Sequence, residues 1–104
     1  MGRNLEGAIM AEPITLEDHG SRGRYVLRKD GLEAELTFSR KEDGTIRIKH
    51  TGVPEPLGGQ GIAARLVARA VEDARAAGVK IDPVCSYAAA QFAKHPEWAD
   101  LRKS

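Results

Sequence analysis

Between residues 24 and 51 apolar and polar positions alternate in runs of strand length, and from 60 to 77 the apolar positions recur at a helical period. Over 32–39, Leu32, Ala34, Leu36 and Phe38 share one side while Glu33, Glu35, Thr37 and Ser39 share the other. In the run 45–51, Ile46, Ile48 and His50 oppose Arg47, Lys49 and Thr51. Asp30-Gly31 separates the runs 24–29 and 32–39, and an Asp-Gly pair between alternating segments signals a tight hairpin. The pattern predicts an antiparallel three-strand meander. Val53-Pro54-Glu55-Pro56 cannot continue a hydrogen-bonded ladder, and the chain then passes through glycines into a helix over 60–77. Ile62, Leu66, Ala70 and Ala74 line its apolar stripe, Val67 and Val71 widen it, and Gly78 stops it. A short strand over 79–85 follows, then a helix over 87–94 with Ser86 as N-cap and His95-Pro96 as its end. Each helix must cover a sheet face with its one apolar stripe, so the fold class expected is α+β, a mixed sheet with helices packed on it. Residues 1–20 mix charge, Gly and Pro without a period and read as a mobile tail before one domain over 21–104.

Composition narrows the function classes. The 104 residues are 41% hydrophobic and 30% charged, enough for one modest core. Sixteen basic and 15 acidic residues leave a net charge of +1, which offers no global attraction to nucleic acid or to an anionic membrane. One cysteine excludes an internal disulfide, and His19, His50 and His95 are too dispersed to suggest a metal site with it. No apolar run approaches the ~20 residues of a membrane-spanning helix, and residues 1–10 lack the apolar centre of a secretion signal, so a cytoplasmic protein is expected. Gly-x-Ser-x-Gly, His-Glu-x-x-His and complete phosphate-binding Gly-x-x-x-x-Gly-Lys-Ser/Thr motifs are absent, which argues against hydrolase, zinc-protease and nucleotide triphosphatase chemistry.

The segment with most chemical content is Gly58-Gly59-Gln60-Gly61-Ile62-Ala63-Ala64-Arg65. Glycines remove the side chains that would block an anion, and the first helical turn supplies unpaired N–H groups and a partial positive charge. The same glycines also suit a tight loop with no ligand.

Three ordered motifs give the chain a resemblance to a known family. His50-Thr51-Gly52-Val53-Pro54 precedes the glycine turn, Cys85-Ser86-Tyr87 follows the helix, and His95-Pro96-Glu97-Trp98 lies near the end. Over about residues 25–101 the chain resembles the GNAT superfamily of N-acetyltransferases, in particular its small single-domain branch. That superfamily's acyl-CoA loop, Arg/Gln-x-x-Gly-x-Gly/Ala, falls here on Gly58 to Ala63, with Gly58 where the loop usually begins with Arg or Gln. The branch often carries Glu at the position of Gly52. The resemblance implies a GNAT-like fold and transfer of an acetyl group from acetyl-CoA to an amine, in a small molecule, a lysine or an N-terminus, with no metal. The N–H groups around Gly59, Gln60, Gly61, Ile62, Ala63 and Ala64 would hold the pyrophosphate, Arg65 could reach a phosphate, and Thr51 and Val53 would flank the pantetheine arm.

Candidate catalytic residues each carry two readings. Cys85 ends a strand ahead of a helix, where the dipole favours a thiolate; it is either an acetyl-accepting nucleophile or an inert core residue. His50 is either the base serving it or a histidine hydrogen-bonded at a strand end. Tyr87 either donates its hydroxyl to the departing sulfur or covers the sheet. Direct attack by the amine is the preferred route. The partners expected are an acyl-CoA and an amine acceptor, with no nucleic acid and no membrane, for a monomer or weak homo-oligomer. The alternative is a non-catalytic acyl-CoA-binding or interaction module that keeps the fold, a reading to which Gly52 and Gly58 lend weight.

Overall fold

A computed structural model describes residues 12–103. Five strands form one sheet in chain order: β1 (Ile14–Asp18), β2 (Arg22–Lys29), β3 (Leu32–Arg40), β4 (Ile46–Gly52) and β5 (Ile81–Pro83). The first four are antiparallel neighbours, whereas β5 runs parallel to β4. A parallel neighbour requires a crossover, and helix α1 (Ile62–Ala77) provides it. Helix α2 (Ser86–Lys94) and a 3₁₀ segment (Pro96–Leu101) complete the chain.

The mixed sheet with packed helices is the class that the hydrophobic pattern predicts. Helix α1 buries Ile62, Leu66, Val67, Ala70, Val71 and Ala74, the stripe read from the sequence. Opposite it, Tyr25, Leu27, Ala34, Leu36, Phe38 and Ile48 form the inner face of the sheet. Burying one such aliphatic side chain contributes about 1.5–3 kcal/mol, so this layer dominates the stability of the fold. A polar clasp joins the same two layers. The Tyr25 hydroxyl donates to the Asp73 carboxylate at 2.6 Å, and the Arg69 guanidinium bonds both that carboxylate and the carbonyl of Ile14. Burial, then the Asp73 carboxylate, pushes the Tyr25 hydroxyl well above the usual tyrosine pKa.

Two expectations are corrected. Residues 14–18, assigned to a tail over 1–20, form strand β1, because Ile14 and Leu16 pack on the core and the strand pairs with all but the ends of β2; the remainder of that tail through residue 11 lies outside the described residues. The short strand expected over 79–85 is confined to Ile81–Pro83, and α2 begins at Ser86 with Cys85, not Ser86, as its N-cap. Pro83 has no N–H with which to extend the ladder.

A third difference decides how the site is built. In the pairing of β3 with β4, Thr37 faces His50 and Phe38 faces Ile48, so Lys49 is an extra residue in a bulge. The extra residue reverses the alternation beyond it. Thr51, paired with buried Leu36, shares the inner face, and His50, paired with Thr37, shares the outer one. The uninterrupted alternation expected over 45–51 placed these two residues on the opposite faces.

On the outer face Arg24 bonds Glu17, Glu33 and Glu35, and Arg28 pairs with Glu17 and Glu33. These part-buried and exposed pairs join into one charged network on the same face as Val26, which is 1% exposed. Gly23 is a point of close approach in the sheet: a Cβ there would lie 2.6 Å from the carbonyl oxygen of Glu17 and 2.8 Å from the Phe38 ring. Gly23→Ala must shift the β1 backbone and is expected to lower stability by about 1–3 kcal/mol in urea unfolding. An unchanged midpoint would show that β1 is loosely held.

Candidate functional site

The glycine turn is held from below by Leu57, which is 1% exposed and closes a short 3₁₀ turn, Glu55–Leu57. Gly59 and Gly61 then take φ of 77° and 75°, a left-handed conformation that residues with a Cβ rarely adopt. Gly61 is the N-cap of α1 and offers no side-chain cap. The first helical bond runs from the Arg65 N–H to the Gly61 carbonyl at 3.1 Å. The N–H groups of Ile62, Ala63 and Ala64 therefore project from the helix end, where the dipole favours an anion.

A cleft of about 190 Å³ opens beside this turn, lined by Val53, Leu57, Gly58, Gly59, Gly61, Ile62, Ala63 and Tyr87. Its floor is apolar and its rim is the glycine backbone. The cleft unites two motifs far apart in sequence, since Tyr87 comes from the first turn of α2.

Strand β4 leads into the cleft with one edge open. Its ladder to β5 covers only Ile46–Ile81, Arg47–Asp82 and Ile48–Pro83, and the Cys85 N–H then bonds the Ile48 carbonyl at 3.0 Å. Beyond that bond the chain turns into α2, while β4 continues to Gly52 along β3. Among the described residues, no strand faces the β4 edge past Ile48. Val84, 58% exposed, sits between the end of β5 and Cys85 at the mouth of this splay.

Cys85 is half-buried, with Sγ 3.6 Å from the Thr51 hydroxyl. Burial is the largest influence on the thiol and pushes its pKa up. The N–H of Ala88, the Thr51 hydroxyl and the N–H groups of Tyr87 and Thr51 act the other way and together leave it below the ordinary thiol value. The helix end acts on Cys85 as a helix N-terminus acts on a thiolate.

The expected pairing of His50 with Cys85 is corrected by the bulge. Thr51 is the side chain that meets the thiol, and His50 lies exposed on the other face of the sheet. The His50 ring folds over Gly52, where a Cβ would come within 2.8 Å of Nε2. Glu35 is cross-strand from Gly52, so the register puts a carboxylate on the His50 face; no sequence signal linked these two positions. Gln60 and Arg65 point away from the cleft to other partners. Gln60 accepts a bond from Lys29 Nζ at 2.8 Å, and Arg65 donates to the Glu12 carbonyl with the Glu12 carboxylate 3.8 Å away. Ala64 does not line the cleft. Trp98 packs near its own segment, stacked on His95 at 4.0 Å and edge-on to Phe92 at 5.3 Å. Among the described residues no group of three or more His, Cys, Asp or Glu is arranged to hold a metal, and no helix is long and apolar enough to cross a membrane.

Comparison with known proteins bears on this geometry. The family model described as GCN5-related N-acetyl-transferase matches residues 24–101. Among solved structures, the solution structure of a "GCN5-like putative N-acetyltransferase" from Staphylococcus aureus is 30% identical, with a TM-score of 0.66 over 86% of this chain and 88% of that one. No curated protein matches.

The environment of Cys85 predicts that its alkylation by iodoacetamide rises with pH through a midpoint below that of free cysteine. Thr51→Val removes one stabilising hydroxyl and shifts that midpoint upward. A midpoint that stays put in the variant would mean that the Thr51 contact does not act on the thiolate.

Proposed function

The chain belongs to the GCN5-related N-acetyltransferase family, and on that premise we propose that it moves an acetyl group from acetyl-CoA to an amine by direct attack. The observation that carries this reading is the open edge of β4 beyond Ile48, which runs into a cleft walled by the bare N-terminus of α1. An extended pantetheine arm fits that edge as an added strand would, its amides answering the free backbone groups around Thr51 and Val53. The N–H groups from Gly59 to Ala64 would receive the pyrophosphate. With Gly58 where the family's loop usually has Arg or Gln, recognition rests on backbone donors.

When bound, acetyl-CoA supplies an activated carbonyl carbon and a thiolate leaving group, so that the C–N bond forms as the C–S bond breaks. An amine attacks only when neutral, and a base must take its proton. His50 is the residue proposed for this, because it is exposed on the uncovered face of the sheet and the inner face is filled by α1 and the core. Thr51 and Cys85 would flank the reacting carbonyl from the inner side, and Tyr87 would cover the arm within the cleft. The same separation of faces supports direct attack over a Cys85 acetyl-enzyme, since the thiol has no histidine base beside it. The non-catalytic alternative predicts the same cofactor binding without turnover.

Isothermal calorimetry tests the cofactor site. Micromolar to low-millimolar binding of acetyl-CoA is expected, weakened about tenfold or more in Gly61→Asp, whose carboxylate opposes the pyrophosphate. Gly58→Arg should tighten binding severalfold by restoring a charge-assisted contact. No binding by the folded parent would overturn the reading. In turnover, His50→Ala should lower kcat by about a hundredfold at neutral pH, while Cys85→Ala keeps most of the rate. The reverse pattern would move the chemistry to the thiol.

A further inference from the structure

On the outer face, at the end of the sheet opposite the Asp30-Gly31 hairpin, a second cavity of about 200 Å³ is lined by His19, Arg22, Gly23, Arg24, Thr37, Phe38 and Lys49. Every titratable side chain in that lining is basic. The carboxylates nearby are already paired: Glu17, Glu33 and Glu35 neutralise Arg24 of the cavity wall and its neighbour Arg28, Asp18 pairs with Arg40, and Asp82 with Arg47, which leaves Arg22 and Lys49 as the cations available to a ligand. The first network holds three carboxylates against two guanidiniums, yet none of the three lines the cavity. Arg22 and Lys49 are exposed there and have no carboxylate partner among the described residues.

The position of this cavity is as informative as its charge. Lys49 is the bulged residue between Ile48, where the β4–β5 ladder ends, and His50. Thr37, in the cavity wall, is the cross-strand partner of His50. Adjacent strands lie about 5 Å apart, so an anion held between Arg22 and Lys49 would stand one to two strand spacings from the open β4 edge. Without the bulge, Lys49 would keep the alternation of its strand and the residue after it would turn inward. The insertion therefore leaves Lys49 on the outer face and turns His50 to that same face, from which a nucleophile can approach. At about 200 Å³ the cavity is smaller than a drug-sized pocket and suits a metabolite or its head group.

We propose that this cavity is the acceptor site, and that the acceptor is a small amine carrying a carboxylate or phosphate a few bonds from its nitrogen. The inference rests on the transferase reading and adds the acceptor's chemical class. Arg22 and Lys49 bind the anionic group, Thr37 offers a hydroxyl to it, and the amine is left facing His50 and the β4 edge. The proton leaves the nitrogen for His50, the nitrogen bonds the acyl carbon, and the CoA thiolate departs.

The experiment compares small aliphatic amines that differ in charge. With saturating acetyl-CoA, O-phosphoethanolamine and β-alanine are assayed against ethanolamine, propylamine and spermidine by CoA release. Titration of the protein with O-phosphoethanolamine, followed by amide NMR, supplies a readout that needs no turnover. The anionic amines should show kcat/KM higher by about tenfold or more, an advantage that shrinks with added salt. Amide shifts should centre on Arg22, Thr37 and Lys49. Lys49→Glu and Arg22→Glu, both at exposed positions, should each raise KM for O-phosphoethanolamine about tenfold, far more than they alter KM for ethanolamine, while acetyl-CoA affinity by calorimetry holds. Turnover that favours neutral or cationic amines, or that ignores both charge reversals, overturns the acceptor proposal and leaves the transferase reading standing. Acetyl-CoA binding without acetylation of any amine, and without shifts in the cavity, overturns both.

Discussion

Strand β4 is seven residues long and pairs with β3 to its end, whereas its parallel neighbour β5 has three residues and finishes at Pro83. This inequality of length organises the functional end of the molecule. A proline that cannot donate, followed by a helix, diverts the chain at the point where β4 still has four residues to run. Unpaired backbone in the middle of a sheet is costly unless water or a ligand satisfies it, so an open edge beside a cleft is a place where binding energy can be gained. The same diversion sets Cys85 at the head of α2, with its N–H bonded to Ile48 and its sulfur against Thr51.

The bulge at Lys49 divides the candidate site residues between the two faces. Residues adjacent in sequence, His50 and Thr51, end on opposite sides of the sheet. On the inner side Thr51 joins the thiol and a packed helix layer. On the outer side His50 lies over Gly52, near a cavity edged by Lys49 and Arg22. A carboxylate at position 52, common in the branch that the chain resembles, would need the space that the His50 ring fills. Gly52 and the inclined His50 are thus one arrangement: the missing side chain is what lets the ring settle.

The inner layer supplies most of the stability and also shapes the cleft beside α1, while the outer face carries charge. The inner face is a continuous apolar contact between α1 and β2 to β4, clasped by Tyr25, Asp73 and Arg69. It leaves the outer face free to carry charge, where Arg24 and Arg28 order several glutamates in one network.

Much of this was legible from the amino-acid order. The stripe from Ile62 to Ala74, the hairpin at Asp30-Gly31 and the glycine turn all follow from local periodicity and backbone preference, which depend on near neighbours alone. Those features, with the three ordered motifs, pointed to the mixed sheet and the family. Strand β1 was not legible, because five residues with two aliphatic side chains form a strand only when β2 offers an edge. The bulge was hidden too: Ile-Arg-Ile-Lys-His-Thr alternates acceptably until its partner strand is known, and the only hint is the adjacent polar pair Lys49-His50. Which face His50 occupies, that Thr51 meets Cys85, and that Arg22 and Lys49 share a cavity were decided by register. Register is settled by which side chains bury best across a strand pair, and that comparison exists only in the assembled sheet.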